Sequence, residues 1–139
     1  MKSVKAAKPK RILVPRTRNA GTFTEAQFRG WIRSSLRRMS QRWKPIYQTY
    51  NKSKRPATAA DSAKWGNRIK YVYQCEQCRE WFPKKLVEVD HIVPCGSLTD
   101  IEKDAGPFIL RMLCEIDGLR LLCEPCHQVI TQEQRNVQA

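Results

Sequence analysis

Acidic residues are nearly missing from the first half of this chain. Residues 1–74 hold 2 Asp+Glu against 19 Lys+Arg, a net of +17. Residues 75–139 hold 11 against 7, a net of −4, and the two halves sum to the chain's +13. A balance of this kind speaks to partners and association rates, and here it fits a polyanion. Long apolar runs are missing too. Nothing approaches the ~18 apolar residues of a helical membrane span, so none is expected. The first residues, Met1-Lys2-Ser3-Val4-Lys5, lead into more Lys, Pro and Arg, so no secretory leader is expected. Histidine is scarce, with only His91 and His127. At 41% hydrophobic and 28% charged the chain is too apolar to be wholly disordered, and 139 residues allow one domain, or one small domain with an extension.

Cysteine, by contrast, is plentiful. Six cysteines without a leader point to a reducing compartment, where thiols serve as metal ligands or buried side chains more often than as disulfides. Cys75-Glu76-Gln77-Cys78 and Cys123-Glu124-Pro125-Cys126 form two C-x-x-C pairs separated by 44 residues. Each pair can turn two sulfurs toward one ion, and two pairs complete the closed tetrahedral set of a structural zinc site. Cys95 and Cys114 have no partner at ligand spacing and read as small buried side chains.

Along the chain, residues 1–21 are rich in Lys, Arg and Pro and free of acid. They read as a flexible basic arm, either solvated or ordered on phosphates. Residues 24–43 read as a helix. Thr24 and Gln27 fit a capping box, and Phe28, Trp31, Ile32, Leu36, Met39 and Trp43 give one apolar stripe. Pro45 is expected to stop it. Arg29, Arg33 and Arg37 recur at steps of four with Arg38 beside them, as a wet face or a row that meets phosphates. Lys52, Lys54 and Arg55 add a cluster in 44–68, read as a basic connector with a short helix from Ala57 to Trp65 ended by Gly66. Ile69–Tyr73 reads as a strand leading into Cys75.

Between the cysteine pairs, Leu86–Pro94 reads as a strand carrying Asp90 and His91. Adjacent strand side chains face opposite ways, so these two share a role only where the backbone bends. Gly118–Leu122 reads as a second strand, and Glu124-Pro125 opens a helix carrying His127. Residues 97–117, with Phe108-Ile109-Leu110 and Met112-Leu113, read as an inserted helix.

Val89-Asp90-His91-Ile92-Val93-Pro94, followed by Gly118-Leu119-Arg120-Leu121-Leu122-Cys123-Glu124-Pro125-Cys126-His127, resembles the HNH endonucleases, a family common in bacteriophages. The likeness covers about residues 70–135. It implies an α+β protein, with a small zinc-stapled ββα-metal core and a basic helical N-terminal extension. The implied division is a flexible arm over 1–21, a nucleic-acid-binding extension over 22–68 and the nuclease domain over 69–139. It implies that Asp90 and His127 hold a catalytic Mg²⁺ or Mn²⁺, that His91 is the general base, and that Cys75, Cys78, Cys123 and Cys126 hold structural Zn²⁺. Arg29, Arg33, Arg37, Arg38, Lys52, Lys54 and Arg55 would grip DNA, with no membrane partner. The implied setting is the cytoplasm of a bacterial host. The sequence departs from the family in three places. The middle Asn of the motif is replaced by Gly118, next to Asp117. Ile130 stands at a common Lys position. Thr131 stands where colicin-type nucleases have a further His. Gly118 and Ile130 motivate a second expectation: a catalytically decayed HNH protein that binds DNA, or assembles with phage packaging or virion proteins.

Overall fold

The computed structural model of the chain describes residues 4–138. The first three residues of the expected arm, and the last residue of the chain, lie outside them. Among the described residues, five helices and seven short strands form a mixed α+β fold with three small sheets. No helix among them is long and apolar enough to cross a membrane.

The basic half is more built than its composition predicts. Within the expected arm, Arg16–Arg18 (β1) pairs antiparallel with Phe23–Thr24 (β2). Helix α1 (Glu25–Ser40) starts at the expected capping box. The Thr24 hydroxyl accepts from the Gln27 amide nitrogen at 3.2 Å, and the Gln27 side chain accepts from the Thr24 N–H at 2.9 Å. Two expectations are corrected. The apolar stripe is narrower: Ile32 and Leu36 pack on a core of Leu98, Phe108 and Met112, while Trp31 and Met39 are 56% and 50% exposed. Pro45 does not stop this helix. α1 ends at Ser40, and Pro45 opens a second helix, α2 (Lys44–Lys52), where its missing N–H would have had no helical partner. At the corner, Trp43 Nε1–H donates to the Cys114 carbonyl at 2.6 Å.

The connector expected over 44–68 is folded. After α2 come β3 (Lys54–Pro56) and α3 (Ala59–Trp65), which Thr58 and Asp61 cap and Gly66 follows. β3 pairs with β4 (Tyr71–Gln74), and β4 with β5 (Trp81–Phe82). The expected boundary after residue 68 therefore falls in the loop between two paired strands.

The centre is a hairpin-like pair, β6 (Val87–His91) and β7 (Leu119–Cys123), in antiparallel register from Val87 opposite Cys123 to His91 opposite Leu119. Leu121 and Leu122 are both buried, although neighbours on a strand face opposite ways. Both faces of β7 are therefore covered, and the helices packed on it are α2 and α5 (Glu124–Gln138). Each fully buried Leu stabilises by about 1.5–3 kcal/mol. The insertion between the strands carries α4 (Ile101–Met112), which buries Phe108 and Met112. Ile130 on α5 packs on the hairpin core, which accounts for an apolar residue there.

A candidate metal centre and histidine cleft

β4 delivers Cys75, β7 ends on Cys123, and the first turn of α5 brings round Cys126. With Cys78 these place four sulfur atoms within 4.8 Å of one another. All four are free thiols, and Cys78 Sγ lies 3.9 Å from Cys123 Sγ. Four sulfurs on one zinc at ~2.3 Å would stand ~3.8 Å apart, so the donor set fits a structural metal such as zinc. Burial opposes ionisation of Cys75, yet backbone N–H donors of Cys123, Cys78 and Gln77 prevail and bring this thiol down to about 7. Burial pushes Cys126 up to about 12, and the neighbouring sulfurs push the same way. A crowded set of this kind resists becoming four thiolates without a cation. Glu76 locks the first pair to β7: its N–H donates to the Leu121 carbonyl at 2.9 Å, and its carboxylate accepts from the Leu121 N–H at 2.5 Å. Cys95 and Cys114 stand outside this set, partly buried, with thiols raised chiefly by that burial.

Asp90 and His91 lie toward the other end of the hairpin. Asp90 lies opposite Arg120 in the register, and its Oδ2 accepts from Arg120 Nε at 3.1 Å and Nη2 at 3.0 Å. Its other oxygen, Oδ1, lies 3.5 Å from His127 Nε2. The other nitrogen of His127 lies 3.8 Å from Glu88 Oε2. Two ligands at right angles on an ion with ~2.1 Å bonds would stand ~3 Å apart, so the Asp90–His127 pair is spaced close to what a hard divalent ion takes. Glu88 was not anticipated. It sits two residues before Asp90, and the period of two on a strand puts both carboxylates on one face.

His91 ends β6 and turns elsewhere. Its Nε2 lies 2.8 Å from the carbonyl oxygen of Met112. A carbonyl can only accept, so in this bond Nε2 carries the hydrogen, and the neutral ring keeps the Nδ1 lone pair free. The acceptor is a carbonyl left without a helical partner at the C-terminus of α4. A Cβ on Gly118 would meet Cys114 Sγ at 2.9 Å, and His91 is held by a backbone group from the insertion. Asp117 lines neither of the cavities beside His91.

One of those cavities, of about 680 Å³, is lined by Asp90, His91, Arg37, Thr131, Gln134 and Arg135, among others. Thr131 faces this cavity. His127, 3.5 Å from Asp90, is not among the residues lining it.

The expected basic residues divide. Arg37 lines the cleft, and among the described residues its guanidinium has no ion-pair or hydrogen-bond partner. Arg33 reaches the Leu98 carbonyl at 3.5 Å, Arg38 the Ser35 hydroxyl at 3.3 Å, and Arg29 is half-buried. Lys52 pairs with Glu76 at 3.7 Å, and Lys54 lies 4.7 Å from the centre of the Tyr71 ring. Arg55 is a structural clamp, 2.7 Å from Asp61 and 4.3 Å from the centre of the Trp81 ring. Arg55 and a backbone N–H hold the Asp61 carboxyl down at about 2. Compared with known proteins, the chain matches no family model, no curated protein and no solved structure.

Proposed function

We propose that the chain is a metal-dependent endonuclease of the HNH type that hydrolyses DNA phosphodiester bonds. The observation that carries this reading is the pairing at the open end of the hairpin. Asp90 and His127 stand side by side, and His91, oriented by the Met112 carbonyl, shares one cavity with Asp90. The order of strand, insertion, strand and helix agrees with the ββα-metal core that the motif implies. The strongly basic first half supplies the partner argument.

In this reading Nδ1 of His91, with its lone pair free, takes the proton of the attacking water. Asp90 and His127 would hold a divalent ion of the Mg²⁺ or Mn²⁺ kind, which would polarise the phosphate and stabilise the leaving 3′ oxygen. Arg120 orients Asp90, leaving Oδ1 for the ion. Arg37 and Arg135 offset phosphate charge along the cleft. Such contacts carry little sequence information, so target preference is weak and binding falls steeply with salt.

A second reading has one observation in its favour. Arg120 already occupies one oxygen of Asp90 with two hydrogen bonds, as in a site where an arginine has taken over from a metal. The protein would then be a zinc-bearing DNA-binding or virion-assembly factor. Supercoiled plasmid with Mg²⁺ or Mn²⁺ separates the two. Nicking by the wild type that His91→Ala abolishes supports the nuclease. Binding without nicking under any divalent ion supports the factor.

A further inference from the structure

A second cavity, of about 740 Å³, lies on the α2 side of His91. It shares Arg37, Ser40 and His91 with the first, so the two form one trough running past the imidazole. We propose that this second cavity is a nucleotide subsite that takes an unpaired base, so that the strand entering the cleft is single-stranded or locally opened. The proposal rests on the nuclease reading and names its substrate class.

The two parts of the trough differ in chemistry. The first offers Asp90, Thr131, Gln134 and Arg135, groups suited to phosphate and water. The second adds Ile46, Tyr47 and Tyr50 from α2, with Gln41 and Lys84. Tyr50 is committed to the fold: its ring meets Tyr73 edge-on at 5.8 Å and 87°, and Lys84 Nζ lies 5.1 Å from its centre. Tyr47 is uncommitted. It is 51% exposed and, among the described residues, has no aromatic, cation–π or side-chain hydrogen-bond partner.

An unpartnered ring at a cavity within the ~300–1,000 Å³ range of ligand sites gives a base a face to stack on. Arg37 and Lys84 line the same cavity and pair the adjoining phosphates, and Glu88 is the sole carboxylate among the lining residues. The Gln41 amide offers a donor and an acceptor to a base edge. A base inside a duplex is already stacked on both sides and cannot reach Tyr47 without leaving the helix. Entry therefore selects strands that are open at this point.

The test uses zinc-replete full-length protein carrying His91→Ala, so that the probe stays uncut, with no divalent ion added. The probes are 2-aminopurine DNAs: a full duplex, a duplex with the 2-aminopurine unpaired, and a single strand. The unpaired probes are expected to bind about tenfold more tightly than the duplex and to lose fluorescence on stacking. Adding Tyr47→Ala removes the quench and about tenfold of that affinity, and Tyr47→Phe keeps both. Equal affinity for paired and unpaired probes, or a quench that survives Tyr47→Ala, overturns the subsite. Tyr47-dependent binding by a wild type that cuts no plasmid would overturn the nuclease reading and leave the subsite standing.

Discussion

At the Val87–Cys123 end of the central strand pair, four sulfurs crowd together and would leave an ion no free coordination position. Toward the His91–Leu119 end, the Asp90 carboxylate stands 3.5 Å from the His127 imidazole, and Asp90 and His91, but not His127, line an open cavity. One helix serves both ends: Cys126 joins the sulfurs, and His127, the next residue, turns to Asp90 and Glu88. The difference is one of closure. A complete soft shell excludes water and holds the fold together. An incomplete hard one, as proposed for Asp90 and His127, would leave room for water and phosphate. The same short strands therefore carry a staple and a cleft, and damage to either should read out differently.

The largest effect is expected at the closed end. Cys123→Ser should abolish zinc binding and unfold the second half, because structural zinc contributes on the order of 10 kcal/mol and a whole domain has only about 5–15. Zinc content together with a melting curve checks this, and values equal to wild type would refute it. At the open end, His91→Ala should lower plasmid nicking by about 10²- to 10⁴-fold, the usual worth of a general base, while zinc content stays unchanged. A melting point that falls as far as in Cys123→Ser would erase the distinction between the ends.

A third change probes how the histidine end is held. Gly118→Asn installs the residue that the resembled HNH motif carries, but its Cβ would lie 2.9 Å from Cys114 Sγ. Overpacking of this kind should destabilise by about 1–3 kcal/mol, and Cys114→Ala should relieve part of it in a double-mutant cycle. Additive effects in denaturant melts would show that the two residues do not compete for space.

The smallest effect lies away from both ends and serves as a control. The Asp61 carboxyl is held at about 2, below its ordinary 3.8, chiefly by Arg55. A lowered folded-state pKa stabilises above the unfolded value and loses that contribution as pH falls through the folded one. Asp61→Asn should therefore weaken the protein near neutrality, with the difference from wild type shrinking below pH 3.8 and gone below about 2. Acid titration followed by circular dichroism checks this sign, and a difference that grows toward low pH would reverse it.

What could be read directly from the sequence was short-range chemistry. The Thr24–Gln27 capping box, the two C-x-x-C turns and the strand that carries Asp90 and His91 are set by neighbours within a few positions. The rest depends on chain closure. β3 is three residues long and becomes a strand only through β4, so 44–68 reads as a linker. Pro45 breaks one helix or opens the next, and only the packing of α2 on β7 decides which. The partner of His91 is a carbonyl of Met112, 21 residues away on an inserted helix, and backbone atoms leave no mark in a motif. Arg120 and Glu88 were within reach: the strand register puts one opposite Asp90, and the period of two puts the other on its face.

The central claim is that the hairpin keeps two separate cation sites. Its most direct test is a Mn²⁺ titration followed by electron paramagnetic resonance on zinc-loaded protein, wild type beside Asp90→Ala. The account predicts one labile Mn²⁺ per wild-type chain, lost in Asp90→Ala, with zinc retained in both. Mn²⁺ binding that Asp90→Ala leaves intact, or zinc that departs with it, would contradict the account.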